Sequence, residues 1–510
     1  MNDSRFQRII SAGILLSVVA LNGCSDRSEN NDIEKPNILW IIADDLGADL
    51  GCYGTPLVKT PNLDKLASQG AKYTNLFTVT AVCSPSRSSL ITGMYPVSID
   101  CHQHRTYDKK PLPDGVRPVT EYFREAGYFV SNGSVTNRDK PGKQDYNFIA
   151  ENIYDGTDWT QRNPGQPFFS QIQIHGPHRE FQRDPENPVN ADSVILPPYY
   201  PDNPLARQDW ALYLENVQIV DRQVGEILQR LEDEGLADST VVFFFGDQGR
   251  PHVRAKQFMY DGGIHTPLII RLPREIRSQQ NDEVIFSWGW PGHIKPGSVD
   301  KRMVSNVDLP VTALKIAGID PPDYIQGKDF FSLGAKKREA IFAMRDRRDE
   351  TVDRIRCVRT EKYKYIRNFY PERPYTQFNA YKKHQYPVLT LMQVLYKQGK
   401  LTPVQAKFMG PDRPAEELYD LEKDPYEINN LVDDPGYKDI LARLRSKLDI
   451  WLEEADRGTY PEDPEEIKFW DSTQKKNFEA RMKRRGLSTG ITDEDFLKYW
   501  EEYLVPTIKK

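Results

Sequence analysis

The run Cys83-Ser84-Pro85-Ser86-Arg87, continuing through Ser88-Ser89-Leu90-Ile91-Thr92-Gly93, places a thiol at the opening of a predicted short helix. A cysteine in that setting, with Pro and Arg at fixed offsets, is a nucleophile or the precursor of one. Upstream, Ala43-Asp44-Asp45 closes an apolar run, and far downstream Gly246-Asp247-Gln248-Gly249 closes another. A lone Asp-Asp is ordinarily a solvated loop. Two such pairs at strand ends, with the Cys between them in sequence, read instead as a metal-assisted hydrolase site. Asp44, Asp45, Asp247 and Gln248 supply oxygen ligands only, a set that suits Ca²⁺ or Mg²⁺ better than Zn²⁺.

Two of the chain's eight histidines, His175 and His178, fall in one short loop, Gln173-Ile174-His175-Gly176-Pro177-His178-Arg179, after another strand candidate. An isolated histidine is most often structural; this doublet is a candidate for proton transfer.

These residues need a frame that brings distant strand ends together. Asn37 to Ala43 is short, apolar and β-branched between Pro36 and Asp44-Asp45, the pattern of a fully buried strand. Tyr128 to Ser131, Pro167 to Ile174, Thr240 to Phe245 and Pro267 to Leu272 are further strand candidates. Pro61 to Gln69 reads as a helix ended by Gly70. Arg207 to Glu234 reads as a long amphipathic helix with Val217, Val220, Val224, Leu228 and Leu231 on one face. The alternation predicts an α/β fold, a large mostly parallel sheet flanked by helices, whose ligands sit beyond the carboxyl ends of the strands. The texture changes after about residue 335, where Ala340 to Ala343, Arg354 to Arg359 and Lys362 to Arg367 read as short antiparallel strands. Asp434-Pro435 opens a helix running to about Glu454, so this part is a smaller C-terminal α+β subdomain. From about Pro461 the chain is charged and partly helical.

The 510-residue chain carries a formal charge of −6 with both signs interspersed, which lacks the basic stripe of a nucleic-acid binder. Arg5 and Arg8 precede an apolar run from Ile9 to Leu21 that is too short to span a bilayer comfortably. Leu21-Asn22-Gly23-Cys24 resembles a bacterial lipobox. The expected organisation is a lipoprotein signal peptide over residues 1–23, lipidation at Cys24, a polar tether over 24–35, a catalytic domain over 36–335 and the C-terminal subdomain over 336–510. That places the protein in the bacterial cell envelope, exported to the periplasm or the outer membrane and held to a membrane only by its lipid. Cys52, Cys101 and Cys357 define no disulfide framework; a Cys52–Cys101 bridge and free thiols both stay open.

Asn37 to Tyr95 closely resembles the start of a formylglycine-dependent type I sulfatase of the alkaline phosphatase superfamily. The matching pieces are Asn37 through Asp45, Thr60-Pro61-Asn62-Leu63-Asp64-Lys65-Leu66-Ala67 and Cys83 through Gly93. The resemblance resumes at Gly246 to Gly249, at Ala255 to Gly263 with Lys256 inside it, at Val304 to Asp308, at Glu417 to Leu421 and at Asp424-Pro425. It implies that a formylglycine-generating maturation enzyme oxidises Cys83 to 3-oxoalanine, whose hydrated form is the nucleophile. It also implies one Ca²⁺ bound by Asp44, Asp45, Asp247, Gln248 and an oxygen of residue 83. Arg87 would neutralise the diol from one helical turn away, Lys143 and Lys256 would stabilise the sulfate oxygens, and His178, with His175 second, would protonate the leaving oxygen. At Gly142-Lys143-Gln144-Asp145 the chain departs from the family's usual Lys-Trp-His and offers Asp145. His102 or His104 stands in for that histidine or contacts the substrate.

Asp145-Tyr146-Asn147-Phe148 and Asp247 to Pro251 resemble bacterial sulfatases of sulfated polysaccharides and heparan N-sulfatases. Arg105, Arg250, Arg345 and Arg347 are candidates for reading carboxylates or extra sulfates on such a glycan, because guanidinium forks match those anions. The competing readings are a phosphonate or phosphodiester hydrolase on the same scaffold, and a non-catalytic glycan-binding lipoprotein.

Overall fold

In the computed structural model of the chain, the described residues are 35–273, 295–332, 334–456 and 463–505. The expected signal segment, Cys24 and all but the last residue of the tether lie outside them.

The main sheet has eight strands in the order β4-β3-β5-β1-β6-β7-β2-β8. These are β1 (Asn37–Ala43), β2 (Ala71–Phe77), β3 (Phe129–Ser134), β4 (Asn137–Pro141), β5 (Phe168–Ile174), β6 (Thr240–Gly246), β7 (His265–Arg271) and β8 (Ser298–Ser305). β1 runs parallel to both of its neighbours, as do the pairs β3/β5 and β2/β8. β7 is antiparallel to both strands beside it, and β4 is an antiparallel edge strand, exposed throughout. The mostly parallel sheet expected from the alternating pattern is therefore present, with antiparallel additions that the pattern does not encode. Lys, Arg and Pro on β4 are residues that protect an edge from further pairing.

Helices cover both faces. They are α1 (Pro61–Gln69), α2 (Cys83–Thr92), α3 (Val119–Glu125), α4 (Pro204–Asp233), α5 (Asp261–Ile264) and α6 (Asp308–Ile316). Side chains of β1 alternate between two cores. Leu39 and Ile41 join Leu63, Leu66, Val217 and Val220 from α1 and α4, whereas Ile38, Trp40 and Ile42 join Leu90, Val119, Phe123 and Leu309 from α2, α3 and α6. That is the period-two geometry of a strand buried on both faces. α4 starts earlier than its apolar stripe suggests, because Asn203 caps it by accepting from Leu205 N–H and Pro204 suits its first turn. Asp221 of α4 accepts from the Leu63 and Asn62 N–H groups at 2.8 and 3.2 Å, fixing the start of α1.

A second, antiparallel sheet follows in the order β12-β11-β10-β9. Its strands are β9 (Ile341–Arg345), β10 (Ile355–Arg359), β11 (Tyr363–Asn368) and β12 (Glu416–Asp420). α7 (Ala380–Gln385), α8 (Pro387–Lys397) and α9 (Pro403–Lys407) connect β11 to β12. α10 (Lys438–Ala455) packs Leu444, Leu448 and Trp451 with Val358 and Tyr365 of this sheet. The charged end of the chain forms α11 (Pro464–Arg484) and α12 (Asp493–Leu504). Cys52, Cys83, Cys101 and Cys357 are free thiols, so Cys52 and Cys101 are unbridged. No helix among the described residues is long and apolar enough to cross a membrane.

Candidate active site

Three parallel strands end together at this site. Ala43 of β1 is level with Ile174 of β5 on one side and with Gly246 of β6 on the other. Asp44-Asp45, the His175–His178 loop and Asp247-Gln248 therefore leave the sheet along one edge, beyond its carboxyl ends. The Asp247 N–H donates to the Ala43 carbonyl at 3.0 Å, and the Asp45 N–H donates to Asp247 Oδ1 at 3.0 Å. Cys83 arrives as the first residue of α2, whose start has no side-chain cap. Unpaired N–H groups and the helix dipole favour negative charge there. Its Sγ lies 3.2 Å from Gln248 Nε2, 3.5 Å from Lys256 Nζ and 3.8 Å from Asp45 Oδ1.

Each lysine holds one carboxylate. Lys143 Nζ donates to both oxygens of Asp44 at 2.8 and 2.7 Å, and Lys256 Nζ donates to both oxygens of Asp45 at 2.8 and 2.6 Å. Burial resists ionisation of both carboxyls, yet Lys143, with His178 and Arg87, holds Asp44 well below the usual carboxylate range, and Lys256 does the same for Asp45 less strongly. Asp247 moves the other way: burial, and then the Asp44 carboxylate beside it, raise its proton affinity. Arg87 directs its guanidinium at these acids, with Nε 2.9 Å from Asp247 Oδ2 and one Nη 3.4 Å from Asp44 Oδ1; the other Nη donates to Gln173 Oε1 at 2.7 Å. Burial pushes the Cys83 thiol up to about 12, so an unmodified thiol there is neutral and a poor nucleophile.

His178 Nδ1 lies 2.6 Å from the Arg179 carbonyl oxygen, an acceptor only, so this nitrogen carries the proton. Nε2 then accepts from the Tyr381 hydroxyl at 3.3 Å and sits 3.8 Å from Asp45. Burial and the Lys256 ammonium lower its pKa to about 4, so the ring is neutral near pH 7. His175 is exposed, with Nδ1 3.9 Å from Asp44.

A cavity of about 320 Å³ opens over this cluster. Of the residues expected to meet substrate, His104 and Arg105 line it. Arg105 forks onto Asp145 at 3.0 and 3.1 Å, which is where the residue replacing the family's histidine is used. The others lie elsewhere. His102 is buried, with Asp346, Arg356 and Asp456 as its charged surroundings. Arg250 donates to Asp49, Arg345 faces Asp353, and Arg347 reaches Glu466. Sequence reasoning missed Arg348, Tyr381 and His384, together with Gln474, Asn477, Arg481 and Arg484 on α11, all of which line the cavity. Backbone strain carries part of the missing signal: Asp45, Arg105, Asp145, Gln257 and Asp349 all have positive φ, and such residues gather where geometry serves function.

The donor set fits a hard cation. Ligand atoms of Asp44, Cys83 and Asp247 lie within 4.8 Å of one another, and Gln248 Oε1 is buried with no hydrogen-bond partner. A cation that prefers oxygen would satisfy that atom and the three carboxylates around it. His175 and His178 form a second possible set with Asp44, but His175 is largely in solvent.

Acidic strand ends facing the start of a buried helix, beyond the carboxyl ends of a mostly parallel sheet, make a site suited to metal-assisted ester hydrolysis. The sulfatase family matches residues 36–319, and the N-sulphoglucosamine sulphohydrolase C-terminal family matches residues 284–411. The chain belongs to the sulfatase family and is a sulfuric ester hydrolase. It is 34% identical to an ulvan-active sulfatase of Formosa agariphila over 86% of this chain and 78% of that one. It is 27% identical to human N-sulphoglucosamine sulphohydrolase over 81% of this chain and 89% of that one. The fold is shared with a protein solved in complex with its substrate D-glucosamine-2-N,6-O-disulfate, at a TM-score of 0.59 and 18% identity, covering 83% of this chain and 99% of that one.

Proposed function

We propose that this sulfatase removes sulfate from sulfated oligo- or polysaccharides, with Cys83 converted to formylglycine by a maturation enzyme and Ca²⁺ as the bound cation. The reading rests on one observation, the position of residue 83 at an uncapped helix start between Gln248, Lys256 and Asp45. Cys83 Sγ stands in for the oxygens of the hydrated aldehyde, which supplies one hydroxyl to attack sulfur and a second whose deprotonation releases sulfate. Asp44, Asp45, Asp247 and Gln248 would hold the cation, which lowers the proton affinity of a bound oxygen and screens sulfate charge.

The chain's own residues do the rest. Lys143 and Lys256, which hold Asp44 and Asp45, are the cations that would offset charge on the sulfate oxygens. Arg87 keeps Asp44 and Asp247 turned toward each other. His178 presents Nε2 to the cavity, takes up a proton as the anionic substrate arrives, and returns it to the leaving oxygen. His175 is the second candidate for that step. The names of the Formosa agariphila and human relatives support a glycan substrate, as an O-sulfate or an N-sulfate.

Mass spectrometry of the Cys83 peptide, from a host with a maturation enzyme, should show one oxygen gained against loss of one sulfur and two hydrogens. The same protein should hydrolyse sulfated saccharides and aryl sulfates. A thiol that stays unmodified, or turnover of aryl phosphate diesters in preference to aryl sulfates, overturns the proposal. The lipobox-like Leu21 to Cys24 supports an anchored envelope protein, which fatty-acid labelling that disappears in Cys24→Ser would test.

A further inference from the structure

α11 lies C-terminal to both matched family segments, which end at residues 319 and 411. It contributes little to the core: of its 21 residues only Glu466 and Met482 are buried. Yet it is fixed at both ends. Glu466 accepts from the Tyr107 N–H at 2.6 Å and from Arg347 at 3.1 Å, and Phe469 stacks on Tyr107 with ring centroids 3.9 Å apart. At the other end Phe478 meets Phe378 edge-on, and Arg485, just past the helix, donates to the His384 carbonyl. A polar helix held this firmly has its purpose on the face it turns inward.

That face is Gln474, Asn477, Arg481 and Arg484, spaced three, four and three residues apart, which is a single helical stripe, and all four line the cavity that holds Cys83, His178 and Lys256. Arg105 and Arg348 also line this cavity, but their charge is used: Arg105 forks onto Asp145, and Arg348 pairs with Asp349 at 2.9 Å. Arg481 is held loosely, 3.6 Å from an exposed Glu180, and Arg484 makes no ion pair among the described residues. The two guanidinium groups are one turn apart and half-exposed or exposed, with hydrogen-bonding amides beside them.

We propose that Arg481 and Arg484 form a subsite for a second anionic group on the substrate, a carboxylate or a sulfate distinct from the one removed. This rests on the sulfatase reading of the same cavity. The preferred substrate is then a saccharide with two negative groups placed to span from residue 83 to α11. A guanidinium fork reads either anion, so the source is left to the experiment.

Binding is measured by calorimetry on protein whose Cys83 is unmodified, so turnover is not required. The probes are D-glucosamine 2-N-sulfate, D-glucosamine-2-N,6-O-disulfate and a monosulfated disaccharide bearing a uronic carboxylate. The wild type should bind at least one doubly anionic probe about tenfold more tightly than the singly anionic one, the scale of one or two charge-assisted hydrogen bonds. Arg481→Gln/Arg484→Gln should lose that preference while its affinity for the N-sulfate changes less than about twofold. Arg481→Lys/Arg484→Lys should restore part of it. Whichever probe loses affinity identifies the second anion. A wild type without preference, a double variant that keeps it, or equal loss on all three probes overturns the subsite. Turnover of 4-nitrophenyl sulfate by the matured protein is scored separately. Its absence alongside an intact, Arg481/Arg484-dependent preference would count against the sulfatase reading and leave the subsite standing.

Discussion

Lys256 and Asp45 form an ion pair sealed from solvent, with Nζ 2.8 and 2.6 Å from the two carboxylate oxygens and side chains 1% and 0% exposed. Removing one member of such a pair leaves a buried charge unanswered, which costs about 3–5 kcal/mol. Lys256→Met should therefore destabilise the metal-free protein by roughly that amount in urea unfolding. Added calcium should recover part of the loss, because the cation answers the same carboxylate. A variant as stable as the wild type without metal would mean that Asp45 has another partner.

Cys83 contributes little to stability, since its thiol is neutral and its neighbours hold one another. Cys83→Ser should melt like the wild type and lose about a thousandfold or more in kcat on every sulfated substrate, as loss of a nucleophile does. Substantial turnover by Cys83→Ala would remove residue 83 from the chemistry.

Much of this site is legible in the sequence because its main members sit at the ends of regular elements. Asp44 follows an unbroken buried strand, Asp247 follows another, and Cys83 opens a helix, so the topology of a parallel sheet places all three. The substrate wall is different. Arg345, Arg347 and Arg348 are nearly adjacent and chemically identical, and only packing decides that Arg348 faces the cavity while Arg345 meets Asp353 and Arg347 meets Glu466. Arg250 reads as a substrate contact by type, yet Asp49 holds it at 3.0 Å. Arg481 and Arg484 come from a helix hundreds of residues beyond Cys83 in a segment whose charge pattern looks like a solvated surface. Sequence periodicity reports which face of an element is apolar; it does not report which distant cavity a polar face will close.

The metal ligands predict a linkage. Calcium at about a hundredfold excess over its dissociation constant should raise unfolding stability by about 2.7 kcal/mol, if it binds the folded state alone. Asp247→Asn and Gln248→Leu should each shrink that gain, and a chelator should abolish it in the wild type. If calcium stabilises both variants as much as the wild type, the ion binds somewhere other than this cluster.

Glu350 makes stability fall with rising pH. Its carboxylate accepts from the Ala380 N–H at 2.5 Å, at the start of α7, which carries Tyr381 and His384 into the cavity. Burial raises its pKa from 4.5 to about 7, so between those values the folded state binds more protons than the unfolded one. The contribution is fully present below the unfolded value and is lost as pH rises through about 7. Glu350→Gln cannot lose that proton. Its denaturation midpoint should match the wild type near pH 4.5 and exceed it at pH 8 by the equivalent of roughly 1 kcal/mol, allowing for partial exposure. A gap that stays constant across that range would assign Glu350 no titrating role.

His178 bears on the chemistry most directly, and the nature of the leaving group isolates its part. A sugar hydroxyl is a poor leaving group and needs a proton as the S–O bond breaks, whereas 4-nitrophenolate departs without one. His178→Gln keeps a side chain able to meet Tyr381 but cannot carry a proton. It should lose about 10²–10⁴ in kcat on a sugar sulfate and far less on 4-nitrophenyl sulfate, the range expected of general acid catalysis. The neutral ring of the free protein makes a second demand: its proton must arrive with the substrate, so the sugar sulfate's kcat should fall as pH rises and the ring loses that proton, and His178→Gln should flatten this basic limb. Equal losses on both substrates would leave His178 as a support for Tyr381 and Asp45 and shift the proton to His175, where His175→Gln should then show the leaving-group dependence instead.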